Sequence, residues 1–125
     1  MANPGTFKTY KAEGEIAPYR IIALVGGAAA QAASATGALI GSTDELGKQS
    51  NGNVDVCLSG LPEVECGDAI DAGDPVTADA QGRAVAAGAG DRIIGFALET
   101  GAAGDIITYI HALGYAPDGA ASGTA

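Results

Sequence analysis

The chain has 125 residues and an apolar fraction of 47%, with 20 glycines, four tyrosines, two phenylalanines and no tryptophan. That is one domain's worth of chain around one modest core; small side chains bury little area at about 25 cal/mol per Å², so part of the stabilisation is expected from a partner surface, as in a homo-oligomer or a larger assembly. Six basic against fifteen acidic residues give a net charge of −9, which excludes direct non-specific nucleic-acid binding, since that needs a basic footprint.

Residues 1–15 read as an extended N-terminal arm, in which Phe7 and Tyr10 stand beside Lys8 and Lys11. Aromatic rings offer contact area and flanking lysines steer toward acidic surfaces. Residues 21–125 carry three basic and thirteen acidic groups. The arm is therefore expected to cross onto an adjacent molecule, a second copy or a larger shell. Its start is too polar for a signal peptide, and no run of 18 apolar residues follows, so a cytosolic origin and no membrane partner are expected.

Residues 16–115 read as one all-β domain with at most one or two short helices. The stretch "AAAQAASAT" at 28–36 lacks an apolar stripe and is expected as a poor strand. In "NVDVCLSG", Val54, Val56 and Leu58 alternate with Asp55, Cys57 and Ser59, the period of a half-buried strand. A turn at Ala72-Gly73-Asp74 then leads into Pro75, whose missing N–H is tolerated at a strand's first position. Asp79 and Gly82 bracket Ala80-Gln81 as a type I turn with a left-handed glycine, so the flanking Val76–Ala78 and Arg83–Val85 pair as a hairpin.

Two more strands follow. "RIIGFALE" puts Ile94, Phe96 and Leu98 on one face. "DIITYIHALG" puts Ile106, Thr108 and Ile110 on one face and Ile107, Tyr109, His111 and Leu113 on the other. Both faces of this last strand are apolar, which a water-exposed edge disfavours. The first face is expected to pack the core, and Ile107, Tyr109 and Leu113 to meet a subunit or the chain's own arm. Residues 116–125 read as a disordered tail.

The chain also echoes itself. An offset of 54 residues lays Ile16 on Ile70, Ile22 on Val76 and Leu39-Ile40-Gly41 on Ile93-Ile94-Gly95. After a two-residue length difference, Val54, Val56 and Leu58 overlie Ile106, Thr108 and Ile110. Such a repeat implies a small pseudo-symmetric β-barrel, which removes exposed edges.

Little reactive chemistry is present. His111 has no nucleophile at a useful spacing. Cys57 and Cys66 form neither a CxxC nor a His/Cys cluster. Asp68, Asp71, Asp74 and Asp79 do not match a calcium loop, which needs a closing glutamate, and Gly26-Gly27 lacks the rest of a phosphate loop. No catalytic residue, cofactor or metal site is expected, and the chain does not read as an enzyme.

The ordered set "NVDVCLSGLPEV", "GDAIDAGDPVTADAQGRAV" and "DRIIGFALETGAAGDIITYIHALG" resembles the capsid cement, or head decoration, family of tailed bacteriophages. The likeness spans about Ile16 to Leu113; Cys57, Cys66 and the alanine-rich stretch depart from the family's usual residues. It implies a β-rich virion protein on the outer surface of the capsid, assembled in a bacterial cytoplasm. Such a protein staples major capsid protein subunits together against internal DNA pressure, often as a homotrimer, with no catalytic activity. Two other classes fit a small β-barrel. A lipoyl-type carrier module needs a lysine at a hairpin tip, where this chain has Asp79-Ala80-Gln81-Gly82. A surface carbohydrate-binding module needs exposed aromatics in a groove, and few are available.

Overall fold

Turn chemistry cuts the chain into ten strands, and no helix forms among residues 5–116, which the computed structural model describes. The first five are β1 (Phe7–Lys11), β2 (Ile21–Val25), β3 (Ala28–Gln31), β4 (Leu39–Lys48) and β5 (Asn53–Cys57). The second five are β6 (Glu63–Glu65), β7 (Pro75–Ala78), β8 (Ala84–Ala86), β9 (Arg92–Ala97) and β10 (Ile106–Tyr115). The fold is all-β, as the period-2 segments predict. Even the alanine-rich stretch yields a strand, because the turn at Gly26-Gly27 returns Ala28–Gln31 against β2. A ladder partner there overrides alanine's helical preference.

Each group of five forms one antiparallel sheet, ordered β1-β5-β4-β2-β3 and β6-β10-β9-β7-β8. Adding five to every strand number in the first order gives the second, so the two halves share one topology. In each half the opening strand pairs with the closing one: Tyr10 lies opposite Val54, and Val64 opposite Ile107. The repeat is thus real, but it does not close one barrel. Each sheet rolls until its edges meet at a single isolated bridge, Ala12 with Ala29 and Cys66 with Ala84. The far edge strands β3 and β8 have only four and three residues, too few to carry a closing ladder.

The repeated Ile-Gly pair marks the tightest approach in each half. A Cβ on Gly41 would fall on the Cys57 carbonyl oxygen, and a Cβ on Gly95 on the Ile110 carbonyl oxygen. Only glycine lets the closing strand come this near.

The larger core lies where the halves meet. Ile21 and Leu39 come from the first half; Val64, Ile70, Val76, Ile94, Ile107 and Tyr109 come from the second. A smaller core of Ile16, Ile22, Ala29, Val54 and Val56, with Tyr10 and Ile40 against it, fills the first roll. Fully burying each large aliphatic side chain is worth about 1.5–3 kcal/mol. Polar contacts fix the seam between the halves. The Arg20 guanidinium meets Glu65 at 2.8 Å, the Ser42 and Tyr109 hydroxyls lie 2.8 Å apart, and the Ile21 N–H donates to the Gly82 carbonyl at 2.7 Å.

Three expectations change here. Ile107 and Tyr109 are core residues, 2% and 0% exposed, not an interface between molecules. The assumed register of the closing strand was one residue off, and a one-residue slip exchanges the two faces of a strand. The segment 7–11 is likewise no free arm: it is β1, laid along β5 of its own chain. Ala116, assigned to a disordered tail, is 3% exposed, and its N–H donates to the Asp91 carbonyl. Residues 1–4 of the arm and 117–125 of the tail lie outside the described residues.

Candidate interaction surface

Once Ile107 and Tyr109 turn inward, the other face of β10 turns to solvent. Ile110 is the cross-strand partner of Phe96 on β9, and the two are 43% and 39% exposed. Pro75 of β7 lies opposite Phe96 on the other side. Ile106 and Leu98 extend the apolar area at exposures of 39% and 48%. An aromatic–aliphatic cross-strand pair stabilises its sheet by about 0.2–1 kcal/mol. A grouped apolar face with a polar rim is also the usual mark of a protein interaction site.

The rim is acidic. Glu63 of β6 stands opposite Thr108, and a Glu99 carboxylate oxygen accepts from the Thr108 N–H at 2.8 Å; Glu65, opposite Ile106, is turned to Arg20 at the seam. Across the strand end, Arg92 stacks over the Tyr115 ring at 5.2 Å. Leu113, one of the residues expected at an interface, is 52% exposed. It lies within the irregularity between His111 and Gly114 that breaks the register with β9. His111 itself turns toward the first half, where its Nε2–H donates to the Ile40 carbonyl at 2.8 Å. That is a structural tie between the sheets.

The other expected interface residues sit on β1 at the opposite end of the chain. Phe7 and Thr9 share a face with Cys57 and Asp55, and the Thr9 hydroxyl donates to Asp55 at 2.7 Å. Lys8 and Tyr10 share the other face. The Lys8 ammonium stands 5.3 Å from the Tyr10 ring centre, while the ring packs on the smaller core. Phe7, Lys8 and Lys11 remain exposed, so β1 is an edge strand with a basic, aromatic character.

The turn residues hold the second half in shape. Gly73 has φ +95° and the Asp74 N–H donates to the Asp71 carbonyl. Gly82 has φ +73°, its N–H donates to the Asp79 carbonyl, and the Asp79 carboxylate accepts from the N–H groups of Gln81 and Arg83. One aspartate thus satisfies the loop's own backbone, as an Asx-type turn does.

Burial favours the neutral form of one phenol and two thiols inside the fold. Burial pushes the Tyr109 phenol far up, against the opposing effect of its hydrogen bond with Ser42. Burial raises the Cys57 and Cys66 thiols as well. Thiols raised in this way are poor nucleophiles at neutral pH, and neither cysteine is in a disulfide. Among the described residues, no group of three or more His, Cys, Asp or Glu is placed to hold a metal ion. Sequence reasoning missed Phe96, Leu98, Ile106 and Ile110 as surface residues. The signal that finds them is the repeat read one residue differently on its closing strand, with Val54 laid on Ile107.

No protein-family model matches the chain, and no curated protein matches it in sequence. Among solved structures, the chain is similar to the head fiber gp8.5 N base of bacteriophage phi29. The TM-score is 0.60 at 22% identity, over 86% of this chain and 93% of that one. At that identity the likeness shows a shared fold.

Proposed function

We propose that this chain is a structural protein of a tailed-phage virion, which binds the outside of the head and staples major capsid protein subunits together. The observation that carries the reading is the fold shared with the phi29 head fiber base, nearly end to end on both chains. The ordered Gly-Asp turns and Ile-Gly strand that resemble the head decoration family point the same way. The surface supports it too, with an acid-rimmed apolar face on the second half and a basic aromatic edge strand on the first. Two modest adhesive regions on one rigid body act together, because the second contact forms at high effective concentration once the first is made. The resulting links resist the pressure of packaged DNA, since parting two subunits must also break the added contacts.

The test uses heads of the same phage purified without this chain. Adding the purified protein should give saturable co-sedimentation and raise the temperature at which heads release their DNA. Heads that bind none of it, or bind it with no change in release temperature, would refute the stapling role.

A further inference from the structure

Two hairpin loops of this fold are built alike but capped by different chemistry. In Gln49-Ser50-Asn51-Gly52 and in Asp79-Ala80-Gln81-Gly82 the fourth residue is a left-handed glycine, at φ +87° and +73°. In each, that glycine's N–H donates to the carbonyl of the first residue, at 2.9 and 3.2 Å. The second loop is capped by the Asp79 carboxylate, and the residue after Asp79 is alanine. The first is capped by an amide: Asn51 Oδ1 accepts from the Asn53 N–H at 2.9 Å, and the residue after Asn51 is glycine. Asn51 is exposed, in the loop between β4 and β5.

Asparagine amides are among the thermolabile groups of proteins, and this loop sets one beside a nucleophile. A bond from the Gly52 backbone nitrogen to Asn51 Cγ closes a five-membered ring. The hydrogen bond to Oδ1 draws electron density from Cγ and meets the negative charge that develops on that oxygen as the nitrogen adds. Glycine leaves the nitrogen unshielded, and the space beside Gly52 is open to 4 Å, so the growing ring meets no neighbour. One contact opposes the reaction: the Gly52 N–H is held by the Gln49 carbonyl and must be released before it gives up its proton. The other asparagines are placed differently. Asn53 precedes the β-branched, buried Val54 in the β5 ladder, and Asn3 precedes Pro4, which has no N–H.

We propose that Asn51 is a site of spontaneous modification, at which the side-chain amide is lost to attack by the Gly52 nitrogen and the chain ages into two products. The nitrogen bonds to Cγ, its proton passes to water, and Nδ2 leaves as ammonia, giving a cyclic imide. Water then opens the ring. Breaking the new bond to Cγ leaves aspartate at position 51. Breaking the original backbone bond leaves isoaspartate, with the main chain routed through the side chain and one carbon longer. The fold holds the two products unequally. Aspartate keeps an oxygen for the Asn53 N–H, now charged. Isoaspartate lengthens a loop whose ends are tied, by the Gln49 N–H on the Asn53 carbonyl at 2.8 Å and the Ala12 N–H on the Gly52 carbonyl at 2.9 Å. The second tie closes the β1–β5 ladder just past Lys11, so the isoaspartyl chain loosens β1 from that end. This goes beyond the capsid reading and does not need it.

Prolonged incubation of the full chain at mildly alkaline pH, followed by anion exchange and peptide mapping by mass spectrometry, tests this. An acidic species should accumulate, its net charge moved from −9 to −10, with the change confined to Asn51 and a rate that rises in proportion to hydroxide. Unfolding in urea should speed the conversion several-fold, because the Gly52 N–H is then released. Asn51→Ser keeps an oxygen for the Asn53 N–H and should yield no acidic species. Isoaspartyl chains, detected with an isoaspartyl methyltransferase, should exchange the Ala12 amide hydrogen faster than wild type, whereas Asn51→Asp should exchange it at the wild-type rate. A wild type that gains no charge, an equal gain in Asn51→Ser, conversion that urea leaves unchanged or slows, or an isoaspartyl fraction with unaltered Ala12 exchange would overturn the proposal.

Discussion

The two halves of this molecule follow one strand order, yet equivalent positions carry opposite kinds of residue. Ser42 and Cys57, which the second half covers, are small and weakly polar; Phe96 and Ile110, their counterparts in solvent, are large and apolar. This inverts the usual distribution. The covered face lies close to a Tyr109 ring that takes the available volume and needs a hydroxyl partner, which Ser42 provides. The open face has no such neighbour inside the chain. A second contrast concerns the turn before each β2-type strand. Gly73 takes the left-handed conformation in the second half, and Tyr19 takes it in the first at φ 58°, the one non-glycine residue to do so among the described residues. The Tyr19 backbone is anchored on both sides: its N–H donates to the Asp44 carbonyl and its carbonyl accepts from Glu65. A duplicated topology thus tolerates divergence in side chains as long as each backbone crossing is kept.

The sharpest way to break the equivalence is at its glycines. Gly41→Ala and Gly95→Ala should each lose about 3 kcal/mol or more in urea unfolding, since each new Cβ meets a backbone carbonyl that cannot move alone. If one substitution is harmless, the halves are not equivalent at their closest crossing.

Tyr109→Phe comes next. It leaves the buried Ser42 hydroxyl without its short partner and should cost about 1–3 kcal/mol at neutral pH, while Tyr115→Phe at the exposed end should cost little. The same residue governs alkaline behaviour. Burial raises its phenol above the ordinary value of 10.0, so the folded chain keeps a proton that the unfolded chain gives up. Its contribution is fully present below pH 10 and falls above it, by up to about 1.4 kcal/mol per pH unit. Cys57 and Cys66, raised from 9.0, act in the same direction from pH 9. Denaturant titrations at pH 8 and 10.5 should therefore show a steeper loss for wild type than for Tyr109→Phe; parallel losses would place the alkaline sensitivity elsewhere.

The smallest effect is expected at Tyr19→Gly, where the two turns become alike. Relief of left-handed strain is worth about 1–2 kcal/mol, and glycine's added freedom in the unfolded chain takes back about 0.5–1 kcal/mol. A net gain of about 0.5 kcal/mol in thermal stability should result. A loss would mean that the Tyr19 ring, whose phenol is raised by burial and by Glu63, Glu45 and Asp44, contributes contacts that outweigh the strain.

What was legible in the sequence was local. The Asp79–Gly82 hairpin, the turn into Pro75 and the alternation of Val54 and Val56 all follow from residues within a few positions of each other. The offset between halves was legible too, because Ile-Gly recurs with a backbone reason. The closing strand was not. Ile106, Thr108 and Ile110 are nearly as apolar as Ile107, Tyr109 and Leu113, so hydrophobicity could not choose between the faces; the choice comes from pairing Val64 with Ile107. β1 was hidden for a related reason. Its Phe7-Lys8-Thr9-Tyr10 alternation is a strand signal, but the strand it needs begins at Asn53, and short-range reading left it as an arm. The open face inherits both errors, since it appears only when the closing register is right.

The pairing of each half's opening strand with its closing strand also sets a timetable for the growing chain. β1 leaves the ribosome first and has no ladder partner until β5, ending at Cys57, has followed. At about 5–20 residues per second that interval lasts on the order of seconds, during which Phe7 and Tyr10 lie on an unpaired edge. Lys8 and Lys11 flank those rings, where charged side chains discourage edge-to-edge association. The second half meets the same delay with Glu63 and Glu65 on its opening strand and Pro62 just before it, a proline and two acids in the corresponding place. The opposite charges of the two opening strands thus protect each during synthesis and then diverge in use, Glu65 receiving Arg20 at the seam and Lys11 remaining at the surface.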